Sequence, residues 1–438
     1  MKKYLKIVAI GAGSVSFGGV ILTDVLGSAE FNDFDCSLIL VDINAESLAR
    51  MKALADLLKA HFNSQVNISA TTDRREALPG ADYVITSVAV NRYQLWEQDF
   101  RIPLAYGFLH AEGENGGPGA VFHTMRSLEL MIPIARDVED LCPDALLINF
   151  TNPESRVVMA LNRLTKVKTV GLCHGVFGTR WFVGHVLDRP EDELDIVTGG
   201  LNHFFWVLRI SDKLTGEDLH PKFLDRIANG PEIPELPPLA RKMLEVFGLL
   251  TYPADKHPGE YLSFAYEFTG LEWTHGQESR SVPREPRPEL NPLDPYIRLE
   301  KPLDETMTTK SPELHVPIIL GTELDRGTFL PAVNMLNTDH FVENLPRDAV
   351  VEVPATVDRS GIHPMHVGPI PEALAAFSRT QISIQKLVVE AYATRSRNLL
   401  MQALLLDPLV NSVHKAELML DEMLSLQKDY LPRFEPGT

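Results

Sequence analysis

Short apolar runs alternate with helical periods through the first half of the chain. Leu5–Ile10, Ser37–Val41, Tyr83–Val88, Ala145–Ile148 and Lys168–Leu172 are rich in Val, Ile and Leu with little polar alternation, as strands covered on both faces are. Between them, Ala45–His61 sets Leu48, Met51, Leu54, Leu57 and Leu58 at helical spacing, and Thr124–Leu141 continues that period until it stops near Pro143. Such alternation predicts parallel βαβ units, hence an α/β chain with a doubly wound parallel sheet.

From about Asn202 the character changes. Phe204–Ile210 and Ala349–Val353 read as strands; Pro371–Leu405 and Asn411–Leu431 read as helices, with Ile384, Leu387, Val388 and Ala391 on one face. Pro231–Pro238 is proline-dense, and Gly276–Pro312 holds prolines and charges with almost no apolar period. The latter is too long for a simple connection and reads as a mobile flap or an excursion over the surface. The expected division is a dinucleotide-binding domain over residues 1–200 and a second α+β domain, catalytic and oligomerising, over 201–438.

Charge and cysteine usage narrow the partners. The 438 residues carry 41 Lys+Arg against 59 Asp+Glu, a formal charge of −18, which argues against nucleic acid or an anionic membrane as partner. Cys36, Cys142 and Cys173 form no disulfide framework and suit a reducing compartment. The apolar run at Leu5–Ile10 is too short for a signal peptide, and no stretch approaches the ~20 apolar residues of a membrane span. A soluble, cytoplasmic protein is expected.

Candidate chemistry begins at Gly11-Ala12-Gly13-Ser14-Val15-Ser16, directly after the first strand. Gly11 permits a tight turn and Gly13 a close backbone approach to a pyrophosphate at a helix N-terminus. Ser16 stands where a third glycine is usual. The second strand ends at Asp42, placed to accept from an adenosine ribose and to repel a 2′-phosphate. Gly11, Gly13, Ser14, Val15 and Asp42 are therefore the expected cofactor contacts, with NAD favoured over NADP.

Further polar segments fall at strand ends and in loops: Cys173-His174-Gly175, Asn202-His203, Asn149–Pro153, the glycine-rich Gly113–Gly119, and Asp255–Tyr261. A thiolate with an imidazole makes a partial site for a borderline divalent metal. Taken singly, each segment reads equally as a buried thiol, a core histidine or turn chemistry.

Taken together and in order, they resemble glycoside hydrolase family 4, the NAD- and divalent-metal-dependent glycosidases. The resemblance runs from Gly11-Ala12-Gly13-Ser14 through Gly117-Pro118-Gly119, Arg126, Asn152-Pro153, Cys173-His174-Gly175 and Asn202-His203 to Val350–Ala355 and Gly361–Pro364. It implies a Rossmann-type sheet of the lactate/malate dehydrogenase kind followed by an α+β domain. It also implies Mn²⁺ or a similar ion on Cys173 and His203, sugar hydroxyls on Asn152, and Asp255 as the base, with Tyr261 as second choice. His174, or else Glu114, would protonate the leaving group. The implied reaction hydrolyses α-glycosides by oxidation at C3, deprotonation at C2, elimination and addition of water, and leaves Cys173 sensitive to oxidation.

Within the family, His174 argues against phosphosugars. Cys173-His174-Gly175 resembles α-glucosidase or α-glucuronidase members, whereas Val176-Phe177-Gly178 resembles α-galacturonidase members. Unphosphorylated α-glycosides are thus the expected substrates, a class that includes α-uronides; Arg92 or Lys256 would meet a uronate carboxylate. A homodimer or homotetramer is expected, in line with the family and with the apolar helical faces after residue 371. The main rival is an NAD-dependent 2-hydroxy-acid dehydrogenase, which needs no metal thiolate; a catalytically silent NAD-binding regulator is a third reading.

Overall fold

The computed structural model describes residues 2–230, 235–275 and 293–434, apart from the side chains of Val15 and Ser16. Its centre is one sheet of eleven strands: β1 (Tyr4–Ile10), β2 (Asp35–Val41), β3 (Asn67–Thr71), β4 (Tyr83–Thr86), β5 (Leu146–Asn149), β6 (Lys168–Gly171), β7 (Leu194–Leu201), β8 (Phe204–Asp212), β9 (Thr328–Leu336), β10 (Val350–Asp358) and β11 (Gly361–Pro364). The order is β3-β2-β1-β4-β5-β6-β9-β10-β7-β8, with β11 paired to β10. The first six strands are parallel in the doubly wound order. β9, β10, β7 and β8 continue the same sheet antiparallel. β7 runs through residue 200, so the sheet crosses the expected domain division without a break.

One register line runs across ten strands. Thr71, Val41, Ile10, Thr86, Asn149, Gly171, Asn334, Glu352, Gly200 and Phe205 are successive partners along it. Ligands of doubly wound sheets bind beyond the carboxyl ends of the strands, and on this line the buried polar residues Thr86, Asn149, Asn334 and Glu352 interrupt an otherwise apolar core.

Helices cover both faces. Val15–Leu26 and Ala45–His61 pack Leu22, Val25, Leu54 and Leu58 on one. Gly117–Leu141 and Glu154–Leu164 pack on the other. The helices Glu372–Thr394, Arg397–Leu406 and Val413–Leu426 return to that second face, where Ile384, Val388 and Ala391 are fully buried. The part of the apolar stripe after residue 371 formed by Ile384, Val388 and Ala391 is therefore packed within the chain.

Several element boundaries differ from expectation. The stretch read as one helix over Pro371–Leu405 is two, because Arg395 is left-handed (φ 57°) and Ser396 caps the second by accepting from Leu399 N. The helix expected from Thr124 begins at Gly117, so the glycine-rich loop supplies its first turn. β3, β7, β9 and β11 were not expected as strands. Of Gly276–Pro312, residues 276–292 lie outside the described residues, as do 231–234 of the proline-dense stretch. The remainder forms short helices Asp294–Ile297 and Glu305–Thr308, tied down by Arg50 to Asp294 (3.3 Å) and Thr23 Oγ1 to Met307 O (3.0 Å). Among the described residues no helix is long and apolar enough to cross a membrane.

Candidate active site

At the β1–β2 end, Gly11 has φ 88°, and a Cβ there would lie 2.0 Å from Ser87 O. Only glycine fits. Gly13 N–H donates to Asp42 Oδ2 (2.8 Å) and Asn44 N–H to Asp42 Oδ1 (2.8 Å), so the carboxylate ending β2 is fixed against the turn. Ser14 caps the helix that Val15 opens, its Oγ accepting from Phe17 N at 3.3 Å. The close helix–turn approach assigned to a third glycine occurs at Gly18, not at position 16: a Cβ there would lie 2.3 Å from Ala12 O. These features form a dinucleotide cradle with an acid at the ribose position.

Farther along the register line, Cys173 follows β6 and Asn202-His203 turns β7 into β8. His203 holds φ 62°, a conformation that costs a β-carbon residue about 1–2 kcal/mol. Its ring is buried, and Nδ1 has no hydrogen-bond partner. An imidazole kept strained with an orphaned buried nitrogen fits a ligand awaiting an ion. Burial, and then the neighbouring His257 and His174, hold its pKa well below the ordinary value, which keeps it in the neutral form that binds metal. Burial chiefly, and then the Glu352 carboxylate, push the Cys173 thiol up, while Gly175 N–H and the Asn202 side chain pull it back. Burial thus opposes the thiolate unless a cation is bound to it.

The glycine-rich loop closes the site from the side. Glu260 is fully buried, and its carboxylate accepts Glu114 N–H (2.5 Å) and Asn115 N–H (2.9 Å). Arg92 Nη2 reaches Glu114 Oε1 at 3.2 Å while its guanidinium lies 5.4 Å from the Trp96 ring centre. Burial raises the Glu114 carboxyl, and Arg92 and the Asn152 side chain moderate it. Arg92, Glu114 and Asn152, three expected substrate contacts, are thus brought together. Glu260 links them to the thiol–imidazole side, because it lies beside His203 and His257.

One expected role, that of Asp255 as base, gains no support from its placement. Asp255, the expected base, accepts Leu239 N–H (2.7 Å) and Ala240 N–H (2.9 Å) with its two oxygens, capping the helix Pro238–Phe247. Each of its oxygens is engaged by one backbone donor at that helix start. His174, the expected acid, is solvent-exposed beside Cys173, with Nδ1 3.8 Å from Glu313. Tyr261 sits inside: its OH donates to Asn202 O at 3.3 Å, its ring lies 4.9 Å from Phe204, and buried Arg156 is an electrostatic neighbour. Lys256, the other expected uronate contact, donates to Thr274 Oγ1 at 2.7 Å.

His257, Glu260 and Glu352 are functional candidates to which the sequence alone assigns no role. The first two lie inside Asp255–Tyr261, where helical spacing would have placed them one turn apart; the third needs the pairing of β10.

Comparison with known proteins agrees with the geometry. A sequence model described as family 4 glycosyl hydrolase matches residues 6–189, and one described as the family 4 glycosyl hydrolase C-terminal domain matches 198–410. An alpha-glucosidase of Erwinia rhapontici is 33% identical over 468 aligned residues, covering 97% of this chain and 98% of that protein. An alpha-galactosidase of Bacillus subtilis (strain 168) is 31% identical, covering 98% and 100%. The solved structure of a 6-phospho-alpha-glucosidase from gut microorganisms, in complex with NAD and Mn²⁺, superimposes with a TM-score of 0.83 at 23% identity over 99% of this chain and 100% of that one, a likeness of fold. With both halves of the continuous sheet matched and relatives above 30% identity along its length, the chain belongs to family 4 of the glycosyl hydrolases.

Proposed function

We propose that this glycosidase hydrolyses unphosphorylated α-glycosides, α-uronides such as α-galacturonides included, with NAD and a divalent ion of the Mn²⁺ kind as cofactors. The observation that carries the reading is the juxtaposition along one register line of a dinucleotide cradle at Gly11, Gly13 and Asp42 with a thiol and a strained imidazole at Cys173 and His203. When bound, NAD⁺ supplies a reversible hydride acceptor and the cation a Lewis acid at sugar oxygens.

The chain's own groups have the following parts. Cys173 and His203 hold the cation. Asn152, with Arg92 and Glu114 around it, orients the sugar hydroxyls, and Arg92 meets the carboxylate of a uronate. Tyr261 takes the proton from C2. Burial, and then the Glu260 carboxylate, hold the Tyr261 hydroxyl well above its ordinary value, and Arg156 moderates that rise. His174, open to solvent next to Cys173, gives a proton to the leaving oxygen. Asp255 braces the turn that carries His257 and Tyr261. Assembly as a homodimer or homotetramer remains part of the reading, with Leu405, Leu406, Val413, Leu418 and Leu426 as the exposed apolar positions of the last two helices.

A panel of para-nitrophenyl α-glycosides and α-uronides, run with Mn²⁺, NAD⁺ and reductant, tests this. Hydrolysis that disappears with chelator, without NAD⁺ or in Cys173→Ser is expected. Net NADH accumulation from a 2-hydroxy acid, with Cys173→Ser fully active, would instead favour the dehydrogenase.

A further inference from the structure

The sulfur and imidazole of Cys173 and His203 leave the cation with two protein donors, yet donor atoms converge on a different set. Among the described residues, one ligand atom each of His203, His257 and Glu260 lie within 4.8 Å of one another. The His203 and His257 rings approach to 4.4 Å between centres, and Nδ1 of each is buried without a hydrogen-bond partner. Two imidazoles this close, neither with a partner for its Nδ1, leave those two nitrogens unmatched.

Their surroundings fix them as a metal shell is fixed. His257 stacks on Tyr252 at 5.1 Å with planes only 2° apart, and Glu112 Oε2 lies 3.7 Å from His257 Nδ1. At that distance the carboxylate is a charged neighbour of the imidazole and not a hydrogen-bond partner. The Glu260 carboxylate is held by the 114 and 115 N–H groups and keeps further lone pairs free to bind. Two nitrogens and a carboxylate suit a borderline divalent ion.

We infer that His257 and Glu260 join His203 in the protein shell of the divalent cation, beyond the Cys173–His203 pair; this rests on the site being a cation site, as the proposed function requires.

The test is Mn²⁺ binding to the full-length, chelator-stripped chain with NAD⁺ present, followed by the loss of the EPR signal of free aqueous Mn²⁺. One ion per chain is expected. His257→Ala should weaken binding about ten-fold or more, the scale at which even outer-shell changes act, and His257→Asp, which keeps a donor, should recover part of that loss. NAD⁺ binding at the far end of the sheet reports folding, and His257→Asp carries the test should the alanine variant not fold. Unchanged affinity in both His257 variants, with binding lost in Cys173→Ser or His203→Ala, overturns the inference and leaves the glycosidase reading standing. No Mn²⁺ bound by the unaltered chain overturns both.

Discussion

Asn202 donates its side-chain amide to Glu352 across 2.8 Å, joining the turn that carries His203 to a carboxylate 150 residues away. Asn334 donates to the same oxygen at 3.0 Å. Burial pushes the Glu352 carboxyl up to about 7, and the two amides pull it back. The same carboxylate helps hold the Cys173 thiol up. Glu352→Gln keeps an acceptor oxygen and removes the charge, so Cys173 in chelator-treated protein should alkylate several-fold faster at pH 8, since each pKa unit gained is a factor of about ten in thiolate. Cys36 and Cys142 are buried, so the label reports Cys173. An unchanged rate would show that the carboxylate does not govern the thiol.

His203 offers a trade between stability and binding. Its left-handed backbone is one that asparagine tolerates better, and asparagine also removes the orphaned Nδ1. Thermal unfolding in chelator should find His203→Asn at least as stable as the unaltered chain, with Mn²⁺ binding lost. A destabilisation greater than about 1 kcal/mol would mean that ring packing, rather than ligation, keeps the histidine there.

Asp255 and Tyr261 separate by phenotype. Asp255→Ala leaves Leu239 N–H and Ala240 N–H uncapped and should cost about 1–2 kcal/mol of stability. Asp255→Asn keeps one capping oxygen, so its turnover should stay within about ten-fold of the unaltered chain, while Tyr261→Phe abolishes proton exchange at C2. Urea unfolding and turnover of the three variants decide it. A stable Asp255→Asn protein with turnover down about a thousand-fold would return the base to Asp255.

Glu313 ties stability to pH. Burial, reinforced by Asp24, pushes its carboxyl from 4.5 up to about 7. A raised carboxyl favours the fold in its protonated form, so that contribution is complete below about pH 4.5 and is lost as pH rises through about 7. The shift corresponds to roughly 3 kcal/mol at most. Glu313→Gln should flatten the fall in stability between pH 5 and 8 in chelator. Parallel profiles for the two proteins would contradict this.

The sequence carried much of this because its signals are local. Ala45–His61 is bounded as its period predicts, with Asn44 accepting Glu46 and Ser47 N–H at its start. β3 was hidden because its residues, Asn67-Ile68-Ser69-Ala70-Thr71, are mostly polar and lie at the sheet edge. The apolar period running on through Ser396 concealed a break that depends on one backbone angle at Arg395. In the site, Cys173 and His203 stand out by residue type and strand-end position. Glu352 does not, because its place beside Asn202 follows from antiparallel pairing of β10 with β7, which no local pattern announces. Asp255 is ambiguous for the opposite reason: a cap and a base use the same kind of carboxylate, and its backbone partners become visible only in the fold.

The central claim is that the hydrogen on C2 of the sugar is removed and replaced in every turnover. Hydrolysis of the best substrate from the glycoside panel in D₂O, with the released monosaccharide read by NMR, tests it directly. Deuterium at C2 of the product is predicted, and product carrying only protium there would contradict the account.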